Sequence, residues 1–408
     1  MSFNISLSGL NAASSDLNVT SNNIANSGTV GFKGSRAEFA DVFASSQLGI
    51  SQNAVGQGAK LSNVRQQFSQ GQFEFTDNSL DLAVNGTGFF RLDDGGNIAY
   101  SRAGAFEVDR NGQIINAEGK RLTGYQANDS GELTGALGPL TVDTGDVDPR
   151  ATSELQVIAN LNSNSTPFDD DALDFDASDP STFNESTSTT VFDSLGNPQS
   201  ATLYFRKTDT ERQWEVYTEI GDETEGPALV NFSSNGRFEG LGPDGDGGSV
   251  FSGSFGTGDG DDLEIDIDFA RLTQFGTPFS VAELRQDGFT AGQFAGLDVG
   301  DDGNIFGRFT NGQSRVLGQV ALARFPNPER LSQLGDTSWA ESFESGAPIV
   351  AAPGQSGLGG LQAGALEQSN VDITEQLVNM ITAQRNFQAN AKMISTQDQV
   401  TQEILNIR

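Results

Sequence analysis

The chain contains no cysteine and no histidine. The first absence removes disulfides, thiolate nucleophiles and cysteine-ligated metals. The second removes the side chain that most often serves as general base or zinc ligand near neutral pH, and triads of the Ser-His-Asp type go with it. Positive charge is scarce: 23 Lys and Arg stand against 55 Asp and Glu, a formal net charge of −32 over 408 residues. Phosphate backbones and anionic membrane surfaces repel such a chain, so nucleic acid is not expected as a partner. No run approaches the ~18 apolar residues of a spanning helix, so membrane insertion is not expected either. Lys33 is the first basic residue, so the charged start of a cleavable signal peptide is missing. Composition leaves two readings open, residence in the cytoplasm or export by a route that leaves the N-terminus uncut.

What is present points to β structure at the centre of the chain. Glycine is abundant (49 residues), and 29 Phe far outnumber four Tyr and two Trp. The length implies two to four domains. Charge is unevenly distributed, since residues 151–284 hold 26 acidic and five basic side chains, a net of −21, whereas residues 1–32 hold only Asp16. That contrast implies one strongly solvated domain and one end meant to be covered.

Both ends read as helices. Phe3, Leu7, Leu10, Ser14, Leu17, Ser21 and Ile24 recur at alternating spacings of four and three, a coiled-coil seam, and Asn26-Ser27-Gly28 stops it. Near the other end, Asn370 or Asp372 serves as cap, with Glu375 completing the start signal. Ile373, Leu377, Met380, Phe387, Ala391 and Ile394 continue the alternation, with Gln384 interrupting, and the stripe drifts on to Val400, Ile404 and Ile407. Such stripes ordinarily form the core face of an intramolecular helix. Here both lie at the termini with β sequence between them, so each helix is expected to pair with the other or with copies in neighbouring subunits.

Between them, hairpin signals follow one another. Asn85-Gly86, Asp94-Gly95-Gly96-Asn97, Asn111-Gly112, Asn235-Gly236, Asp302-Gly303-Asn304 and Asn311-Gly312 separate short apolar runs, predicting all-β folding from about 71 to 345. The fold class expected is mixed and mainly β: two all-β domains in the middle and an α-helical coiled-coil layer formed by both termini. The boundaries expected are 1–70 with 358–408 for the terminal helical region and its connecting segment. A discontinuous first β-domain takes 71–150 with 285–357, and an inserted acidic domain takes 151–284.

The chemistry that acidic loops suggest does not assemble. An EF-hand loop places oxygen ligands at alternate positions with Gly sixth and Glu twelfth, and neither 298–303 nor 242–248 keeps that register. Asp93/Asp94 and Asp261/Asp262 could imitate glycosidase carboxylates. That mechanism needs two acids across a cleft with one desolvated, and these pairs sit on Gly-rich turns. No catalytic residue, cofactor site or metal site is assigned, and the chain is not expected to be an enzyme.

The ends carry a resemblance. LSGLNAASSDLNVTSNNIANSGTVGFKGSRAEFADVF (7–43) resembles the N-terminal signature of the flagellar rod and hook protein family, centred on Asn22, Asn23, Ala25 and Asn26 and followed by Gly31, Phe32 and Lys33. GALEQSNVDITEQLVNMITAQRNFQANAKMI (364–394) resembles the matching C-terminal signature. Segment 79–92 is similar to the family's first β-domain, 286–325 to its return half, and STTVFDSLGNP (188–198) matches more loosely. Rod members are much shorter because they lack an inserted outer domain, so the length resembles that of the hook members.

The resemblance implies a helical homopolymer that joins rod to filament as a universal joint. It implies polymerisation through Leu7, Leu10, Leu17 and Ile24 of one helix and Ile373, Leu377, Met380, Phe387 and Ile394 of the other. Export through the flagellar type III apparatus without a cleaved signal peptide is implied as well, to the extracellular hook beyond the basal body. The implied partners are the distal rod, hook cap, hook-length control and hook–filament junction proteins. A distal rod protein of the same family is the nearest alternative, and a secreted β-rich glycan-binding or glycan-cleaving protein a more distant one.

Overall fold

In a computed structural model, residues 2–42, 56–128, 130–168, 174–256 and 261–406 are described. The chain forms two compact units, one of residues 1–144, 296–308 and 314–408, the other of 145–295 and 309–313.

The first unit holds two helices. α1 (Ser2–Ala25) is free of proline and ends where the Asn26 side chain turns back to the Asn22 carbonyl at 3.0 Å. α2 (Ile373–Asn406) contains neither Gly nor Pro, so nothing interrupts its 34 residues, about 51 Å at 1.5 Å per residue. Asp372 is its cap: Oδ1 accepts the N–H groups of Thr374 (2.7 Å) and Glu375 (3.1 Å). Asn370, the other cap candidate, is used elsewhere, accepting the Gly34 N–H and donating to the Gln67 carbonyl.

Strand structure runs wider than the turn signals indicate, from residue 35 to residue 367 among the described residues. β1 (Ser35–Asp41) and β2 (Ala59–Gln66) form an antiparallel pair next to α1, with a register shift at Glu38/Phe39. β3 (Phe73–Phe75) pairs with strand Ala365–Glu367, and β4 (Leu82–Asn85) with strand Gly360–Ala363. These two pairings bring the segment before α2 back against the first hundred residues. Their strands are three or four residues long, too short for an alternation that sequence can display.

β5 (Phe89–Asp94) and β6 (Asn97–Ser101) belong to a larger sheet with strands Arg121–Ala127, Leu322–Arg324 and Ser338–Ala340. Phe89, Tyr100, Ala323, Phe325, Leu331 and Trp339 close a core beneath it. Phe68, Phe89 and Trp339 meet edge to face, and the Trp339 indole N–H reaches Gln66 Oε1 at 2.6 Å.

The second unit is a β-sandwich. A five-stranded antiparallel meander runs from Glu185–Phe192 to Phe238–Leu241, and a second five-stranded sheet carries Glu154–Asn162 and Leu263–Asp268. Both contribute to one core that includes Leu155, Val157, Leu203, Trp214, Val216, Phe232, Ile265 and Ile267. The sequence Leu-Glu-Ile-Asp-Ile-Asp at 263–268 shows how so acidic a unit folds: Leu263, Ile265 and Ile267 point inward, and the intervening carboxylates point to water. Part of the acidic run, residues 169–173, and the loop 257–260 lie outside the described residues.

Candidate polymerisation surface

The functional candidates sit on the terminal helix pair and on the junction beneath it. Contact between α1 and α2 is close because α1 offers small side chains. Ser6, Ala13 and Thr20, seven apart, are its buried positions on that side, and a Cβ on Gly9 would stand 2.7 Å from Asn390 Oδ1. The facing stripe of α2 runs through Gln376, Met380, Ala383, Phe387, Asn390 and Ile394, a heptad alternation of four and three. Ala383, one position before the apparent interruption at Gln384, is the buried centre of this contact.

The large apolar side chains are therefore divided. Met380, Phe387 and Ile394 of the facing stripe are half-buried, as are Ala391 beside it and Leu10, Leu17 and Ile24 of α1. Leu7, Ile373 and Leu377 are not part of the seam that closes within the chain. They are 40%, 50% and 46% exposed, with Val378 and Ile381 exposed beside the last two. Ile404 (its side chain) and Ile407 lie outside the described residues.

The N-terminal motif has a different role, which is to join the helix pair to the β structure. Asn23 is buried. Its Nδ2 donates to the Ser35 carbonyl (2.7 Å) and to Gln376 Oε1 (3.1 Å), and its Oδ1 accepts the Ser35 N–H (2.9 Å), so one side chain ties α1, β1 and α2 together. Asn22 and Ala25 face solvent, while Asn26 accepts the Thr29 hydroxyl and closes the turn after α1. Gly31 has φ +69°, and a Cβ there would fall 2.4 Å from the Ala103 backbone nitrogen, so both conformation and space require glycine. Its N–H donates to the Glu367 carbonyl at 2.7 Å. Phe32 is half-buried, and Lys33 is buried entirely.

Lys33 leads to a cluster of charges buried in the first unit. Its ammonium is 2.6 Å from Glu367 Oε1 and donates to the Ser69 carbonyl at 2.9 Å. Oε1 also accepts the Gly71 N–H, and Oε2 takes Arg102 Nη1 at 3.0 Å. Two buried cations thus share one buried carboxylate. The surplus positive charge is met by carbonyls, with Arg102 donating to Val84 (3.3 Å) and Gly86 (2.7 Å) while its guanidinium lies over the Phe89 ring. Burial pushes both Lys33 and Arg102 below their usual ranges, and Glu367 pulls them back. A buried ion pair is tolerated to the extent that its remaining hydrogen-bonding capacity is filled, and here Arg102 Nε is left buried without a partner among the described residues. Sequence reading reached Lys33 through its motif but missed Glu367 and Arg102, which look like ordinary surface charges. The signal was that Glu367 lies inside the C-terminal signature.

The acidic pairs on turns do structural work. Asp93 pairs with Arg121 and accepts the Gly96 N–H, and Asp302 accepts the Asn304 N–H.

Comparison with known proteins places these features. Residues 3–33 match the flagella basal body rod protein family, 83–159 the flagellar hook protein FlgE/F/G D1 domain, 160–289 the flagellar basal body protein FlaE D2 domain, and 362–407 the flagellar basal body rod FlgEFG protein C-terminal. The chain is 36% identical to the flagellar hook protein FlgE of Salmonella typhimurium over the whole of both chains. It belongs to the flagellar hook protein family. Another member, from Escherichia coli K12, is 35% identical over the full length of both chains, and that of Borreliella burgdorferi is 32% identical over 98% of each. The crystal structure of Helicobacter pylori flagellar hook protein FlgE2 shares the fold at 14% identity, with a TM-score of 0.53 over 72% of this chain and all of that one. Within the hook family assignment, the Asn23 and Lys33 contacts fall in the matched N-terminal segment and Glu367 in the matched C-terminal one.

Proposed function

We propose that this chain is the structural subunit of a bacterial flagellar hook, polymerising into a curved, flexible tube that passes motor torque from rod to filament. The observation that carries the reading is the unsatisfied apolar face of an otherwise closed helix pair. Ile373, Leu377 and Ile381 stand about half exposed on a folded α2. Burying such side chains is worth about 1.5–3 kcal/mol each, and neighbouring copies can supply the cover. Identity to hook proteins along the full length supports the same reading.

In this reading the polymerisation residues are Leu7, Leu10, Leu17 and Ile24 with Ile373, Leu377, Met380, Phe387 and Ile394. Asn22, Asn23, Ala25, Asn26, Gly31, Phe32 and Lys33 shape the platform that presents them. The terminal helices form the inner layer of the tube, the β structure around β5 and β6 a middle layer, and the acidic unit the outer surface. Export without signal cleavage through the flagellar type III apparatus, and contact with the distal rod, hook cap, length-control and hook–filament junction proteins, follow from the same assignment. The test is electron microscopy of the purified full chain under assembly conditions. Curved tubes of uniform width support the reading, and a protein that stays monomeric at every concentration and ionic strength overturns it.

A further inference from the structure

Asp16 is the single charge among the first 32 residues. It is half-buried on α1 and lines a groove of roughly 290 Å³ together with Val19, Arg36 and Phe39 and, from α2, Glu375 and Asn379. Its carboxylate has no hydrogen bond or ion pair among the described residues, and burial alone pushes its pKa above the usual aspartate range. Arg36, the cation on the groove wall, is turned away: its guanidinium lies 3.4 Å from Glu38 and its side chain is mostly exposed. With Glu375 on the rim, the groove is short of positive charge.

The complementary group stands elsewhere on the same chain. Ile373, Leu377, Ile381 and Arg385 recur at four-residue intervals along one outward face of α2. All four are exposed, and Arg385 makes no ion pair among the described residues. It is not among the residues that line its own groove, whose α2 wall is Glu375, Gln376, Asn379 and Thr382.

We propose that the Asp16 groove is a socket for Arg385 of a second copy of this chain, a contact that rests on the hook-subunit reading and specifies its register. Donor and socket occupy different surfaces of one molecule, so each copy offers one of each, and the contact is head-to-tail. Such a contact generates a ring when its rotation closes and an open helical polymer when it does not, and the hook-subunit reading selects the second. Burial of the apolar face carries Arg385, the next residue of that series, into the interface. An apolar stripe alone tolerates sliding, whereas an ion pair at its end fixes one register. The second described base of α2, Lys392, fits less well. It stands about two turns further along, and a compact, strongly hydrated ammonium enters a partly dry groove less readily than a planar guanidinium.

The experiment is a charge-reversal cycle in the purified full chain, reading the concentration required for polymerisation by sedimentation and each monomer's melting temperature. Asp16→Arg and Arg385→Asp should each raise that concentration at least about tenfold. The double variant should bring it back towards wild type, with monomer melting unchanged throughout. If Asp16→Arg disturbs the monomer, Asp16→Asn and Arg385→Gln replace it, and their double should be no worse than either single. The proposal is overturned if the double reversal is no better than the singles, if Asp16→Arg polymerises like wild type, or if Lys392→Asp rescues Asp16→Arg where Arg385→Asp does not. A wild-type chain that fails to polymerise strikes the hook-subunit reading instead, so the two failures are distinct.

Discussion

Lys33 and Glu367, 334 positions apart, meet at 2.6 Å with neither side chain reaching solvent. Removing the carboxylate leaves two cations buried without a counter-charge. Glu367→Gln should therefore destabilise the first unit by about 3–5 kcal/mol. The two tryptophans report separately, Trp339 from the first unit and Trp214 from the second. In urea, the Trp339 transition should move to lower denaturant while that of Trp214 stays in place. Coincident shifts would show that the effect is not local to this junction.

Leu377 is already exposed in the single chain, so Leu377→Asp should alter monomer stability by no more than about 0.5 kcal/mol. In a polymer that covers the site, the same charge costs several kcal/mol. Normal melting with assembly abolished is the expected pair of results. Leu10→Asp should block assembly too, with a larger effect on the monomer because Leu10 is half-buried there. Normal tubes from Leu377→Asp would remove that residue from the subunit contact.

The acidic unit should be dispensable for tube formation and should make lateral contacts sensitive to salt. Like charges on neighbouring copies repel over a Debye length that falls from about 30 Å at 0.01 M to about 3 Å at 1 M. Tubes built from a chain with 151–284 replaced by a short linker should lose that dependence while still forming. A folded deletion variant that forms no tube at any ionic strength would show that this unit carries assembly.

Tyr204 donates to Glu219 at 2.6 Å, and burial followed by that carboxylate pushes its pKa up to about 12. Between pH 10 and 12 the unfolded chain gives up a proton that the folded unit retains. This contribution to stability is therefore whole below about pH 10 and lost as pH rises towards 12. Tyr204→Phe should flatten the alkaline fall in the melting temperature of the second unit, and an unchanged profile would assign the fall to other groups.

Much of the plan was legible because it is written in periodicities. Heptad spacing marked both helices, and Asx-Gly turns marked the hairpins. What escaped had no such period. The positions of α1 buried against α2 are the small Ser6, Ala13 and Thr20, which a search for large apolar side chains passes over, while Leu7, Ile373 and Leu377 of the predicted stripes stay exposed in the single chain. Glu367 and Arg102 were invisible because burial of a charge depends on partners hundreds of positions away. Asp372 was separated from Asn370 as the cap only by the hydrogen bonds each makes.

The Asn23–Gln376 hydrogen bond spans 353 positions, and the Lys33–Glu367 pair 334. A unit closed by contacts of such long range cannot complete itself while its chain is still being delivered from the N-terminus. The sandwich of 145–295, needing only the strip at 309–313 besides, can complete much earlier. Closure of the helix pair is thus a test of completeness that the molecule performs on itself. A chain cut anywhere before Glu367 has no anion for Lys33 and Arg102 and no α2 against which α1 can close. In the proposed assembly, a prematurely terminated product would lack the closed helix pair that a neighbouring copy has to meet.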